Sequence, residues 1–194
     1  MGARTTKAQI TAGMLCVATT ALVTVTACSS GDDQTSRAAT TTPLATSATT
    51  PSPASPADQA KQKALAAYTG MWRDFVAAGA TSDWQSPELG RHATGIALTN
   101  MSRGLYADRY NGLVTKGEPT MSPNVTSAEP ALDPLKIIVT DCGDSTKWLK
   151  YRADNGQLSD DKPGGRRLIN AIVEKQADGS WKVSDFGVHD VGTC

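Results

Sequence analysis

The apolar spacing of this sequence changes once, at Asn111-Gly112, and that change limits the fold more than any other feature. Before it, apolar residues recur every three or four positions, which is typical of helices that bury one face. The first helix is predicted to begin at Ser55 as N-cap, with Pro56 in its first turn and Asp58 beside the positive helix end, and to stop near Gly79. Its stripe comprises Ala64, Leu65, Tyr68, Met71, Trp72, Phe75 and Val76.

A second long helix is predicted over residues 93–110, after a short helix or turn at 81–89. Its predicted buried stripe contains Ala97, Leu98, Met101 and Leu105, with Ile96 as a further candidate. Asn111-Gly112 ends it, because glycine readily leaves the helical conformation.

After Gly112 the pattern is that of strands, with β-branched residues and turn signals between short runs. Strands are predicted at residues 113–116, 125–128, 135–142, 147–152, 166–176 and 181–191, and Asp178-Gly179 forms the last hairpin turn. Helices followed by antiparallel strands predict an α+β fold, with the N-terminal helices packed on a curved sheet.

The N-terminus has the order of an export signal. Arg4 and Lys7 precede an uncharged run, Ile10 to Ala27, too weakly apolar for a good membrane span. Val25-Thr26-Ala27-Cys28 then resembles a bacterial lipobox, which implies cleavage before Cys28 and lipidation of its sulfur. Residues 1–27 are therefore predicted to be a lipoprotein signal peptide, and the mature chain to be anchored by lipid on the extracytoplasmic face of the membrane. An ordinary signal peptide or a weak membrane helix is the alternative.

Residues 28–56 are predicted to be the lipidated cysteine and a disordered tether. Of residues 29–56, 22 are Ser, Thr, Ala or Pro and none is aromatic. Such a composition cannot bury enough apolar surface to offset the entropy of ordering. The folded domain is therefore expected over residues 57–194.

Charge argues against a nucleic-acid partner. Without residues 1–27, which contribute Arg4 and Lys7, the chain has 17 basic and 19 acidic side chains, a net charge of −2. No basic field of the kind that binds phosphates is present in this sequence.

The closing segment "EKQADGSWKVSDFGV" and the preceding helices resemble the NTF2-like, or cystatin-like, α+β cone. "GMWRDF" and "WLKYRADNG" are similar to segments of small actinomycete lipoproteins with this plan. The resemblance covers residues 57–194. It implies a pocket inside the cone and, in many relatives, a homodimer formed through the open sheet face. The pocket residues that we predict are Tyr68, Trp72, Met101, Tyr106 and Trp148.

Four cysteines occur in the sequence. Cys16 lies in the signal segment and Cys28 is the lipidation site, which leaves Cys142 and Cys194. In an oxidising compartment two remaining cysteines are expected to form a disulfide. Two free thiols, or a Cys-Asp metal site, are the alternatives.

No catalytic motif, metal site or cofactor site is predicted. Enzymes of this fold use polar groups inside the cone as general bases, and the candidates here include Asp141, Asp144, Asp185, His92 and His189. Asp141 and Asp144 fit a turn after a strand, and His92 fits a helix cap or a surface group. We therefore expect a non-catalytic module that binds a protein, an envelope component or a small apolar ligand. The alternative is a dehydratase or isomerase that acts on a small apolar ligand.

Overall fold

The computed structural model describes residues 54–159 and 164–194, which belong to one compact unit. The predictions of a signal peptide, lipidation at Cys28 and a tether before residue 54 lie outside the described residues. Within them, no helix has the length and apolar character needed to cross a membrane.

Three helices form the N-terminal half: α1 (Pro56–Gly79), α2 (Leu89–His92) and α3 (Gly95–Tyr110). Ser55 caps α1 as predicted, because its Oγ accepts a hydrogen bond of 3.1 Å from the amide of Asp58. Residues 81–88 form turns, which is one of the two predicted alternatives, and the short helix α2 follows them. Most of the helical stripes of α1 and α3 is buried, including Tyr68, Met71 and Met101. The candidate Ile96 is instead 57% exposed, because it lies on the outer side of α3.

Six strands follow: β1 (Leu113–Lys116), β2 (Asn124–Glu129), β3 (Lys136–Asp144), β4 (Leu149–Arg152), β5 (Arg166–Lys175) and β6 (Trp181–Val188). Every predicted strand is present. Four of them form an antiparallel sheet in the order β2-β3-β5-β6, and β1 pairs with β4 in a separate two-stranded ribbon. The six strands were expected to form one antiparallel meander. The separate ribbon was not predicted, because the spacing of strands along the sequence does not show which strands pair.

Burial alternates along the two central strands, as expected for a sheet with one covered face. On β3 the buried positions include Ile137 and Val139, and on β5 they are Ile169, Ala171 and Val173. These side chains form one hydrophobic core with α1 and α3. The α+β fold, with helices packed on one face of the sheet, is confirmed, as the NTF2-like resemblance implies.

The predicted disulfide is also confirmed, and it joins Cys142 on β3 to Cys194, with the two Cα atoms 5.9 Å apart. It holds a C-terminal segment that extends along β5. In that segment the amide of His189 donates to the carbonyl of Leu168 at 2.9 Å, and the amide of Gly192 donates to the carbonyl of Arg166 at 2.8 Å. The C-terminus is thereby fixed beside the first residues of β5.

Candidate ligand-binding cleft

Four aromatic side chains meet between α1 and the two sheets. Trp72 and Phe75 lie one turn apart on α1, and Trp148 and Phe186 come from the segment before β4 and from β6. The ring centroids of Trp72 and Trp148 are 6.1 Å apart, those of Phe75 and Trp148 5.5 Å, and those of Trp72 and Phe186 5.7 Å. Edge-to-face contacts at such distances are favourable, so the group is held as a rigid cluster.

This cluster forms one wall of a half-open cleft of about 300 Å³. Such a volume lies at the lower end of the range of about 300–1,000 Å³ that is usual for ligand sites. The other walls are also largely apolar. The remaining lining residues are Pro119, Met121, Gly143, Ser145, Arg167, Ile169 and Val188.

A β-bulge brings Phe186 and Val188 into the cleft. On β6, Val183 lies opposite Val173, but Asp185 lies opposite Ile172, so Ser184 is an extra residue in the strand. Strict alternation from Val183 would have turned Asp185 inward. Because the bulge shifts the register by one residue, Phe186 takes the inward position beside Ala171 instead. The sequence-based candidate Asp185 is therefore not in the cleft.

The prediction that Asp141 occupies a turn is wrong, because β3 continues to Asp144. Asp141 is an inward position of that strand and is only 2% exposed. Its Oδ1 accepts a hydrogen bond of 2.7 Å from the amide of Ser122. The strand predicted over residues 135–142 already contains Asp141, and alternation with Ile137 and Val139 places its side chain on the inward face.

Tyr68 lies next to Asp141 and is completely buried. Burial first, and then the negative charge of Asp141, raise the pKa of the Tyr68 hydroxyl far above its usual value. The Tyr68 hydroxyl, Asp141 Oδ2 and Trp72 Nε1 have no hydrogen-bond partner among the described residues. Neither Tyr68 nor Asp141 lines the cleft, and Tyr68 packs behind Trp72 of its aromatic wall.

A second polar group lies at α2. The carboxylate of Asp74 on α1 is 2% exposed; Arg91 Nη2 contacts its Oδ1 at 2.9 Å, and His92 Nδ1 contacts its Oδ2 at 2.7 Å. His92 is thus held by a buried carboxylate, where the sequence suggested a helix cap or surface group. The sequence around Asp74 did not predict its contact with His92, because the two residues are brought together only by the packing of α2 on α1.

The predicted pocket residues divide into three places. Trp72 and Trp148 line the cleft, and Tyr68 lies behind them. Met101 belongs to the core and does not line the cleft. Tyr106 is 54% exposed and packs edge-to-face on Trp84 at 5.4 Å, so its assignment to the pocket is corrected. On α3 it follows the buried Leu105 by one residue, which turns it about 100° away from the core.

Within the described ranges, no three His, Cys, Asp or Glu side chains are grouped so that they could hold a metal ion. His189 is exposed, and its Nε2 lies 3.0 Å from Nδ2 of Asn170. The cleft therefore offers a shaped apolar surface with one guanidinium at its edge, rather than a set of acids and bases.

No protein-family model matches this sequence, and no curated protein sequence matches it. Among solved structures, it is similar to the intermembrane-space region of the chloroplast protein ARC6, with a TM-score of 0.45 and 14% identity over 67% of this chain and 96% of that chain. A ketosteroid isomerase-like protein from Erwinia carotovora atroseptica gives a TM-score of 0.43 and 10% identity over 66% and 94% of the two chains. A protein from Catenulispora acidiphila gives 0.40 and 12% over 68% and 94%. These TM-scores carry no argument about activity, and the fold assignment rests on the helix packing and strand order above.

Proposed function

We propose that this protein is an exported lipoprotein whose folded domain binds a small apolar ligand without catalysing a reaction. One observation carries the binding proposal: an aromatic-walled cleft of about 300 Å³ opens to solvent at the end of the sheet. Apolar surface that stays open in this way costs free energy unless something covers it, which is why such clefts are the usual places for ligands.

The dehydratase or isomerase alternative has less support. A general base must come within hydrogen-bond distance of the proton that it removes. Asp141 has the expected residue type beside a tyrosine, but both side chains are almost fully buried and lie outside the cleft lining. A ligand in the cleft would meet the rings of Trp72 and Phe186 instead.

Export and anchoring are supported by the sequence around Cys28 and by the disulfide. The Cys142–Cys194 bond is of the kind that persists in oxidising compartments outside the cytoplasm. A diacylglyceryl thioether at Cys28, together with acylation of its amine, would give the membrane attachment that a single acyl chain does not provide. The mature chain would then present the cleft on the outer face of the membrane.

The cleft is tested with a neutral fluorescent probe, N-phenyl-1-naphthylamine, and the unlipidated chain that begins at Ser29. Val188 lines the cleft and is 45% exposed, so Val188→Trp should cover the opening without disturbing the core. Ile96→Trp is the matched control, because Ile96 is 57% exposed on α3 and outside the cleft lining. We expect probe affinity to fall roughly tenfold in the first variant, about 1.4 kcal/mol, and to stay unchanged in the control. Equal affinity in all three proteins would reject the cleft as the binding site.

The anchor is tested by mass spectrometry of the mature N-terminus and by cell fractionation of Cys28→Ala. We expect a chain that begins at an acylated Cys28, and loss of tight membrane association in the variant. An uncleaved and unacylated N-terminus would overturn this part of the proposal while leaving the cleft assignment intact.

A further inference from the structure

Arg167 is the charged residue in the lining of the cleft. On β5 it shares the inward face with Ile169 and Ala171, and it is half-buried at the end of that face. Arg166, the next residue toward the N-terminus, is exposed on the opposite side and donates from its guanidinium to Cys142 Sγ. The strand thus directs only one of two consecutive arginines at the apolar cleft.

Within the described residues, the guanidinium of Arg167 makes one hydrogen bond, to a backbone carbonyl. Its Nη1 donates to the carbonyl of His189 at 3.2 Å, and no carboxylate of residues 54–159 or 164–194 forms an ion pair with it. Arg91, by contrast, is paired with both Asp74 and Glu88. A guanidinium has several N–H donors arranged as a fork, so the contacts with residues 54–159 and 164–194 leave donors of Arg167 for an oxygen anion.

The neighbouring strand has no side chain opposite the guanidinium. Gly143 of β3 lies directly opposite Arg167 in the sheet and also lines the cleft. A Cβ at Gly143 would come within 2.7 Å of Ile169 Cδ1 and 3.4 Å of the Met121 side chain. Ile169 and Met121 therefore pack over Gly143, and they continue the apolar wall of the cleft along the strand beside Arg167.

We infer that the ligand of the cleft is a single-chain amphipathic anion, with its apolar part against the aromatic cluster and its carboxylate or phosphate on Arg167. This inference rests on the proposed binding function. The small volume favours one chain or ring system over a two-chain lipid. The apolar walls lower the local dielectric, which strengthens the attraction between Arg167 and an oxyanion relative to water.

The experiment measures displacement of N-phenyl-1-naphthylamine by decanoate, decyl phosphate and decanol, which share a chain length and differ in the head group. We expect either or both anions to bind roughly tenfold more tightly than decanol, the gain typical of a charge-assisted hydrogen-bonded pair. Decanoate and decyl phosphate distinguish a free carboxylic acid from a phosphate ester as the source of the anion.

Arg167→Gln should abolish the preference for the anions, and Arg167→Lys should keep part of it, because lysine retains the charge but not the fork. Arg166→Gln is the matched control, since it removes one positive charge from the adjacent, outward position. Circular dichroism and a free-thiol assay verify that each variant is folded with its disulfide closed. The preference should be unchanged in Arg166→Gln.

Equal affinities for decanol and both anions in the unmutated protein would overturn this inference, as would an equal loss of preference in the Arg166 and Arg167 variants. In both cases binding of the neutral probe would show that the cleft itself still takes apolar ligands. If the neutral probe does not bind at all, the proposed function fails, and this inference fails with it.

Discussion

Replacing Gly70 by alanine should destabilise the protein, although alanine is the better helix former. Gly70 lies in the middle of α1, where the imidazole of His92 packs against the helix. An added Cβ would lie 2.7 Å from Cγ, Cδ2 and Nε2 of that ring, closer than packed atoms allow. The ring must therefore move away from α1, and its Nδ1 then leaves the buried carboxylate of Asp74.

The magnitude follows from two opposing effects. A hydrogen bond to a charged group contributes about 1.5–3 kcal/mol, and here it is the 2.7 Å contact between His92 and a carboxylate that is 2% exposed. Alanine in place of glycine in a helix contributes about 1 kcal/mol in the opposite direction. Since His92 is 28% exposed and can swing toward solvent, overpacking adds little. The expected net loss is about 0.5–2 kcal/mol in the free energy of unfolding.

Urea unfolding of Gly70→Ala and of a matched variant, Gly104→Ala, measures this loss. Gly104 also lies inside a helix, but a Cβ there has no neighbouring atom within 4 Å. Gly104→Ala should therefore be stabilising by up to about 1 kcal/mol, from helix propensity alone.

The decisive measurement is Gly70→Ala in a His92→Ala background. Without the ring there is nothing for the new methyl group to displace, so the same substitution should become stabilising by up to about 1 kcal/mol. The reasoning is refuted if Gly70→Ala stabilises the unmutated protein, or if its effect is the same with and without His92.

Three further predictions concern the disulfide and two titrating groups. Because the bond closes a separation of 52 residues, its reduction should lower the free energy of unfolding by up to about 4 kcal/mol in urea, whereas a double variant, Cys142→Ser with Cys194→Ser, should not respond to reductant. The pKa of Tyr68 is raised in the folded state, so its contribution to stability is present below about pH 10 and is lost as the pH rises further. An ultraviolet titration should show one tyrosine that ionises only on unfolding, and this tyrosine should be absent from the titration of Tyr68→Phe. The pKa of Asp178 is lowered, chiefly by the Ser180 hydroxyl, so its contribution is lost as the pH falls below about 4; Ser180→Ala should raise this pKa in an NMR titration, and an unchanged value would contradict the assignment.

Helix and strand positions followed from the sequence because each depends on local chemistry. Ser55 and Pro56 fix the start of α1, Asn111-Gly112 ends α3, and Asp178-Gly179 forms the turn between β5 and β6. These signals act over four or five residues, and no distant contact is needed to interpret them. β3 ends at Asp144, two residues after the predicted end, because Asp141 and Asp144 were interpreted as residues of a turn although Asp141 has the inward position of a strand residue.

The cleft was predictable only in part, because its composition depends on register and packing. Trp72 and Trp148 were among the predicted pocket residues, and both line it. Phe186 was missed because the extra residue Ser184 has no sequence signature that separates a bulge from regular alternation. Arg167 could have been found, since it is two positions before the inward Ile169.

Asp141 contacts the segment that forms one wall of the cleft, although its own side chain does not line the cleft. Its Oδ1 accepts from the amide of Ser122, and the preceding residue, Met121, forms part of one cleft wall. The carboxylate therefore fixes the path of the β1–β2 connection at the point where that connection covers the sheet. A buried carboxylate beside a tyrosine would be interpreted as catalytic from residue types alone. Its burial and its bond to a backbone amide assign it instead to positioning the wall against which a ligand would lie.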